Sequence, residues 1–179
     1  MTQKNRLKGG LINRNNPQQF EFNGQSMQGF EGDTLASALI ANDIRLVGRS
    51  FKYHRPRGML SAGSEEPNAL VELRTGNRKE PNSRATTTEL YDGLVANPQN
   101  CWPSLNFDFL GVNDLFAPFL TAGFYYKTFM WPSVFWEKVY EPVIRRAAGL
   151  GSASLEPDPD SYDKGFLHAD LLIIGAGPS

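Results

Sequence analysis

The chain has 179 residues, 40% hydrophobic and 21% charged, enough for one ordinary domain or a small domain with an extension. A formal net charge of −1 excludes an overall pull toward nucleic acid or membrane. A single cysteine, Cys101, excludes an internal disulfide, a CxxC redox pair and a thiolate metal cage, and it fits a reducing, cytoplasmic setting. The start of the chain is polar and shows no apolar secretory core. The most apolar stretch, 110–136, is broken by Asp114, Pro118, Lys127 and Pro132, too interrupted for a simple membrane span.

Residues 1–18 are polar and read as a flexible lead-in. From residue 19 the pattern is a β-hairpin, with Asn23-Gly24 as the type I′ turn and Phe20 and Phe22 on one face. Asp33 is the expected N-cap of a helix over 34–42, whose Leu35, Ala38 and Leu39 form a buried stripe. A short strand is predicted at 44–47, a long loop at 49–71, and a strand at 68–74 with Leu70 facing the core. Hairpin, helix, strand, loop and strand in this order predict a β-grasp domain over 19–97. The polar stretch 76–85, with Pro81, reads as a turn, and Thr86-Thr-Thr favours a further strand over 86–95.

After Asn97-Pro98 the composition changes. Residues 98–151 form an aromatic-rich extension that contains all three tryptophans. Helices are predicted at 116–129 and 132–148, with Pro142 as a kink. So many large rings exceed what a small β-grasp core buries, so they are expected to cover a neighbouring domain or a partner subunit. Residues 152–165 read as a linker. Over 166–179 the chain leads into an apolar strand, 170–174, and a glycine turn, Gly175-Ala176-Gly177-Pro178. A strand followed by the first two glycines of G-x-G-x-x-G is the opening of a Rossmann-type dinucleotide site. The third glycine would be residue 180, so the chain reads as the front of a longer protein. The fold class expected is therefore α+β, with a β-grasp domain, a helical extension and the first strand of a Rossmann-type FAD- or NAD-binding domain.

The loop carries the most information. Pro56, Pro67, Gly58 and Gly63 keep it out of regular structure. Its first half is basic, with Lys52, His54, Arg55 and Arg57. These side chains suit a cofactor phosphate, the carboxylates of a partner subunit, or a structural role in which arginines bond backbone carbonyls and Glu65 or Glu66. The structural or interfacial role is the one we expect. The second half is acidic and small. Plant-type iron–sulfur ferredoxins set a C-x4-C-x2-C loop in a β-grasp fold. That spacing falls here on Ser61, Glu66 and Ala69. None is a cysteine, so the scaffold is read as ferredoxin-like but without a cluster. Cys101 is expected to be a buried apolar side chain and not a nucleophile.

Four stretches together resemble the start of the alpha subunit of the heterotetrameric sarcosine oxidases. They are Asp33-Thr-Leu-Ala-Ser-Ala-Leu, Arg49-Ser-Phe-Lys-Tyr-His-Arg-Pro-Arg-Gly, Glu65-Glu-Pro-Asn-Ala-Leu-Val and Asp170-Leu-Leu-Ile-Ile-Gly-Ala-Gly-Pro. The resemblance runs from about Gly10 onward. It implies an enzyme that demethylates sarcosine with oxygen, giving glycine, hydrogen peroxide and formaldehyde, or methylene-tetrahydrofolate when tetrahydrofolate is present. It further implies NAD bound by the alpha subunit, here at Gly175, Ala176, Gly177 and Pro178, FAD and FMN elsewhere in the complex, and beta, gamma and delta partners. No catalytic residue is assigned to this stretch. Related amine- and cyanide-forming dehydrogenase subunits share the scaffold but keep the cysteines. They remain the alternative, together with a non-catalytic module for subunit assembly.

Overall fold

The structure is a computed structural model that describes residues 3–50, 52–118, 123, 131–147 and 149–173. The hairpin forms as the Asn-Gly pair predicts, and it starts early. Strand β1 (Asn13–Phe22) pairs antiparallel with strand β2 (Gln25–Glu31), and Phe22 faces Gln25 across the turn. Asn23 and Gly24 both have positive φ, 52° and 76°, as that turn requires. Helix α1 (Leu35–Ala41) follows. Its Leu35, Ala38 and Leu39 are fully buried in one core with Phe20, Phe22, Val71, Leu94 and Ala96.

The helix cap differs from expectation by one residue. Thr34 is the N-cap, and it forms a reciprocal box with Ser37: Ser37 N donates to Thr34 Oγ1 (3.2 Å) and Thr34 N to Ser37 Oγ (3.0 Å). Asp33 lies just before the cap and turns inward. Its carboxylate accepts from the Phe30 amide, the Ser37 hydroxyl and the Arg6 guanidinium.

Residues 44–47 do not form the predicted strand. Pairing starts with the Val47 amide, which donates to Arg57 O (2.9 Å), and continues as β3 (Gly48–Arg49) against β4 (Pro56–Arg57). The partner is the far arm of the loop itself, which the local sequence does not announce. Strand β5 (Leu70–Leu73) then enters the main sheet as expected, but Val71 and Leu73 face the core and Leu70 is on the half-buried side.

Two further readings are corrected. The stretch 76–85 is a 3-10 turn (Gly76–Arg78) followed by strand β6 (Glu80–Arg84). Pro81 is tolerated because β6 is an edge strand, where a missing amide leaves no central ladder bond unmade. The strand read at 86–95 begins only at Leu94, as β7 (Leu94–Pro98). Thr86-Thr-Thr instead makes a turn, because the start of α1 needs acceptors. Leu35 N donates to Thr88 O and Ala36 N to Ala85 O, each at 2.9 Å. The sheet order is β2-β1-β7-β5-β6, with β1 and β7 parallel and the other pairs antiparallel. This mixed sheet with one buried helix fits the α+β, ferredoxin-like β-grasp reading.

Beyond β7 the chain is irregular. Phe109–Phe116 is a 3-10 run capped by Asp108. The helix read at 116–129 lies almost wholly outside the described residues. The one read at 132–148 divides into a 3-10 turn (Ser133–Phe135), a π turn (Trp136–Tyr140) and helix α2 (Glu141–Ala147). Pro142 lies inside this continuous helical run, at the change from the π turn to α2, where its missing amide leaves one intrahelical bond unmade, as the sequence reading expects of a kink position. Residues 151–173 carry no helix or strand, and Leu171, Leu172 and Ile173 are exposed. Gly175, Ala176, Gly177 and Pro178 lie outside the described residues. Among the described residues no helix is long and apolar enough to cross a membrane.

Candidate functional site: the loop between β3 and β5

The basic half of the loop is a tight turn fastened to the chain after β7. Ser50 N donates to Arg55 O (2.8 Å) and His54 N to Ser50 O (3.0 Å). His54 takes a left-handed backbone, φ +53°, uncommon for a residue with a side chain. That conformation turns its ring inward, where it is 1% exposed and lies against Asp108, with Nδ1 2.8 Å from Oδ2. The side chains of this pair are both fully buried. The other Asp108 oxygen accepts from the amides of Trp102 (2.9 Å) and Leu110 (3.2 Å). His54 Nε2 is the one buried side-chain polar atom without a partner among the described residues.

Arg49 completes the fastening. Its guanidinium donates to Leu105 O (3.0 and 2.6 Å) and to His54 O (3.2 Å). Asn100 Nδ2 donates to the carbonyls of Arg49 and Ser50, each at 3.0 Å. Arg55 pairs with Asp114 at 2.7 Å, both about half exposed, and lies over the Tyr53 ring at 4.8 Å. Lys52 is 5.0 Å from the same ring, and Arg57 is exposed. Of the two expected arginines, Arg57 reaches only the carbonyl of its neighbour Pro56 (3.4 Å), and Arg55 takes Asp114 in place of Glu65 or Glu66; the carbonyl anchor of the loop is Arg49. Arg49 and Asp108 were not among the sequence candidates. Asp108 lies 54 residues from His54, and no local pattern links them.

The acidic half is organised from within. Glu66 is 1% exposed. Its Oε2 accepts from the amides of Leu60 (2.7 Å) and Ser61 (2.6 Å), and its Oε1 from that of Asn68 (2.7 Å). The Ser61 hydroxyl lies 3.4 Å away. Burial pushes the Glu66 carboxyl up, but the amides of Ser61, Asn68, Leu60 and Ala69 outweigh it and hold the group below its ordinary value. The methyl group of Ala69 is fully buried. Ser61, Glu66 and Ala69 are thus brought to one place, as their spacing implies. Cys101 is half-buried, and its thiol is pushed up by burial first and by Asp108 second, so it is not a thiolate nucleophile.

Residues 15–101 match the family model described as a 2Fe-2S iron-sulfur cluster binding domain. The chain is 67% identical over 172 residues to the sarcosine oxidase subunit alpha of Rhizobium meliloti (strain 1021), covering 96% of this chain and 17% of that protein. It is 30% identical over 174 residues to the sarcosine oxidase subunit alpha of Corynebacterium sp. (strain U-96), covering 96% of this chain and 13% of that protein. The resemblance read from the motifs is therefore shown over nearly the whole chain, which spans less than a fifth of the length of these curated relatives. The crystal structure of L-proline dehydrogenase from P.horikoshii matches 51% of this chain and 17% of that chain at 24% identity and a TM-score of 0.38, too low to carry a fold assignment.

The residues present do not fit the cluster that the family description implies. Such a cluster needs four soft donors, thiolates or in part imidazoles. The loop offers a hydroxyl at Ser61, a carboxylate at Glu66 that backbone amides already occupy, and a methyl group at Ala69. Among the described residues no three His, Cys, Asp or Glu side chains are placed to share a metal ion.

Proposed function

We propose that this chain forms the N-terminal part of the alpha subunit of a sarcosine oxidase complex. The complex would demethylate sarcosine with oxygen as acceptor, giving glycine, hydrogen peroxide and formaldehyde, or methylene-tetrahydrofolate when tetrahydrofolate is present. The observation that carries the reading is the 67% identity with the Rhizobium meliloti subunit over 172 residues. In this reading the β-grasp domain (19–97) is a scaffold without an iron–sulfur cluster, supported by the donor set at Ser61, Glu66 and Ala69. The aromatic extension (98–151) and the linker (152–165) follow, and 166–179 opens a Rossmann-type domain; the stretch 1–18, read as a lead-in, belongs to the folded domain through β1 from Asn13 and the Arg6–Asp33 pair. Gly175, Ala176, Gly177 and Pro178 would form the first turn of an NAD site, where backbone amides face the pyrophosphate. FAD and FMN would serve the complex elsewhere, with beta, gamma and delta subunits as partners in a cytoplasmic heterotetramer.

The contribution of this segment is then mechanical. Its basic half is fastened to the chain after β7, and its aromatic extension presents large exposed rings, Trp102 and Phe107 among them. The test is to co-produce the full-length alpha subunit with its partners and follow oxygen uptake, peroxide and iron content. Sarcosine-dependent oxygen uptake without stoichiometric iron is the expected result. Turnover only with artificial acceptors, together with stoichiometric iron, would overturn it in favour of a dehydrogenase of the related type.

A further inference from the structure

A cluster-binding loop does more than supply ligands. Its backbone amides turn inward and donate to the sulfurs, because the cluster and its thiolates are a buried anion. A loop that has lost its cysteines but kept its path keeps those inward amides, and each one left unpaired away from water is costly. Here the amides of Leu60 and Ser61 come from one arm of the loop and that of Asn68 from the other. One of the three belongs to a cluster-spacing position, Ser61. All of them converge on one carboxylate, that of another such position, Glu66. The neighbouring bonds hold this shape from outside: Glu66 N donates to Gly63 O (3.3 Å), the Thr86 hydroxyl to Gly63 O (2.7 Å), and Arg84 Nε to Glu66 O (3.3 Å).

We propose that Glu66 is a resident anion that stands where the iron–sulfur cluster would be, and that the loop is an anion cradle able to take a small carboxylate once the Glu66 side chain is cut back. This rests on the reading of the domain as a cluster-free scaffold. A one-residue carboxylate spans both arms as a cluster would, with two hard oxygens that match amide donors and do not match iron held by sulfide. It also leaves no soft ligand at the spacing positions for a cluster to assemble on. An ordinary loop glutamate would share its bonds with water or a lysine. This one is buried and bonded almost wholly by main chain.

The test uses Glu66→Ala and Glu66→Gln in the full-length protein, read by thermal unfolding in sodium formate, sodium acetate and sodium chloride at equal ionic strength. Glu66→Ala is expected to lower the midpoint of the first unfolding transition in chloride. Formate should restore much of that loss with saturation, acetate less, and neither should move the wild type relative to chloride. Glu66→Gln should be destabilised and not rescued, because its carboxamide fills the cradle without the charge. A Glu66→Ala protein as stable as wild type would overturn the proposal, as would equal effects of formate and chloride. If Glu66→Ala cannot be recovered folded, Glu66→Gln decides: an unfolding midpoint equal to wild type at neutral pH overturns the proposal, and a lower midpoint that converges with wild type in acid supports it. These readings do not depend on turnover. Failure of the cradle would leave sarcosine-dependent oxygen uptake intact, and absence of that uptake would leave formate rescue intact.

Discussion

Replacing Asp33 with alanine should be among the most damaging single changes in this domain. The Asp33 carboxylate is buried and accepts four hydrogen bonds: Arg6 Nη1 at 3.0 Å, Arg6 Nη2 at 2.7 Å, Ser37 Oγ at 2.7 Å and the Phe30 amide at 2.9 Å. Truncation would leave the Arg6 guanidinium, 10% exposed and 5.0 Å from the Phe30 ring, with no counter-charge. Removing one partner of a buried ion pair costs about 3–5 kcal/mol. The exposed pair Arg45–Asp43 is screened by solvent and serves as the control. Arg6→Ala should cost less than Asp33→Ala, because Ser37 and Phe30 still bond the carboxylate. The double variant should recover part of the loss, since no unpaired charge stays buried, with a coupling of roughly 1–3 kcal/mol. Urea unfolding of wild type, both single variants and the double variant gives the cycle. Additive single losses, or a loss below about 1 kcal/mol for Asp33→Ala, would refute the reasoning and mean that Arg6 is solvated in solution.

His54→Ala should cost about 2–3 kcal/mol, since it strips a buried carboxylate of a partner. It should also speed hydrogen exchange at the Trp102 and Leu110 amides, which bond the same carboxylate; unchanged exchange there would show that the pair does not fasten the loop. Stability should fall in acid. For Glu66, burial raises the pKa and four amides more than offset it; for Asp33, burial raises it and Arg6, Ser37 and the Phe30 amide more than offset it. Each group's folded pKa therefore lies below its unfolded one. Their contribution is full above the ordinary values of 4.5 and 3.8 and is lost as the pH falls through the lower folded values, so a midpoint that rises on acidification below 3.8 would contradict it. Arg55→Ala should cost at most about 1 kcal/mol of stability, because its Asp114 pair is half exposed, while weakening assembly of the complex; a normal assembly with a selectively raised KM for sarcosine would argue against a structural or interfacial role.

What was legible in the sequence was set by neighbours along the chain. Asn23-Gly24 specifies its own turn, and Leu35, Ala38 and Leu39 mark a helix face because the period is intrinsic. The ligand-type spacing of Ser61, Glu66 and Ala69 was readable for the same reason. What was missed depends on distant partners. Thr86-Thr-Thr gives up its strand preference to supply acceptors for the amides of Leu35 and Ala36, and Pro81 enters a strand because that strand is at an edge. Asp33 looks like a cap until Arg6, 27 residues away, draws it inward. The spacing located the position of Glu66 but not its role. A carboxylate among glycines and prolines reads as exposed, and only the folded loop shows that the amides of both arms close on it.

The two buried acids explain why so irregular a loop holds one shape. Glu66 ties the acidic half to itself, and Asp108 ties the basic half, through His54, to the chain that follows β7. Each acid gathers backbone amides that have no strand or helix to bond them, the need that inorganic sulfide meets in a cluster loop. The consequence passes to the surface. Asp108 fixes the Trp102 amide, and the Phe109 amide donates to Trp102 O at 2.7 Å. Trp102, Phe107 and Phe109 are therefore exposed but held, with ring centroids 5.6 Å apart for Trp102–Phe109 and 4.9 Å for Phe107–Phe109. Rings ordered before contact lose little entropy on binding. Loosening His54 or Asp108 should then disturb assembly through these rings without either residue touching a partner. For that reason assembly, and not substrate affinity, is the sensitive readout for changes in the basic half of the loop.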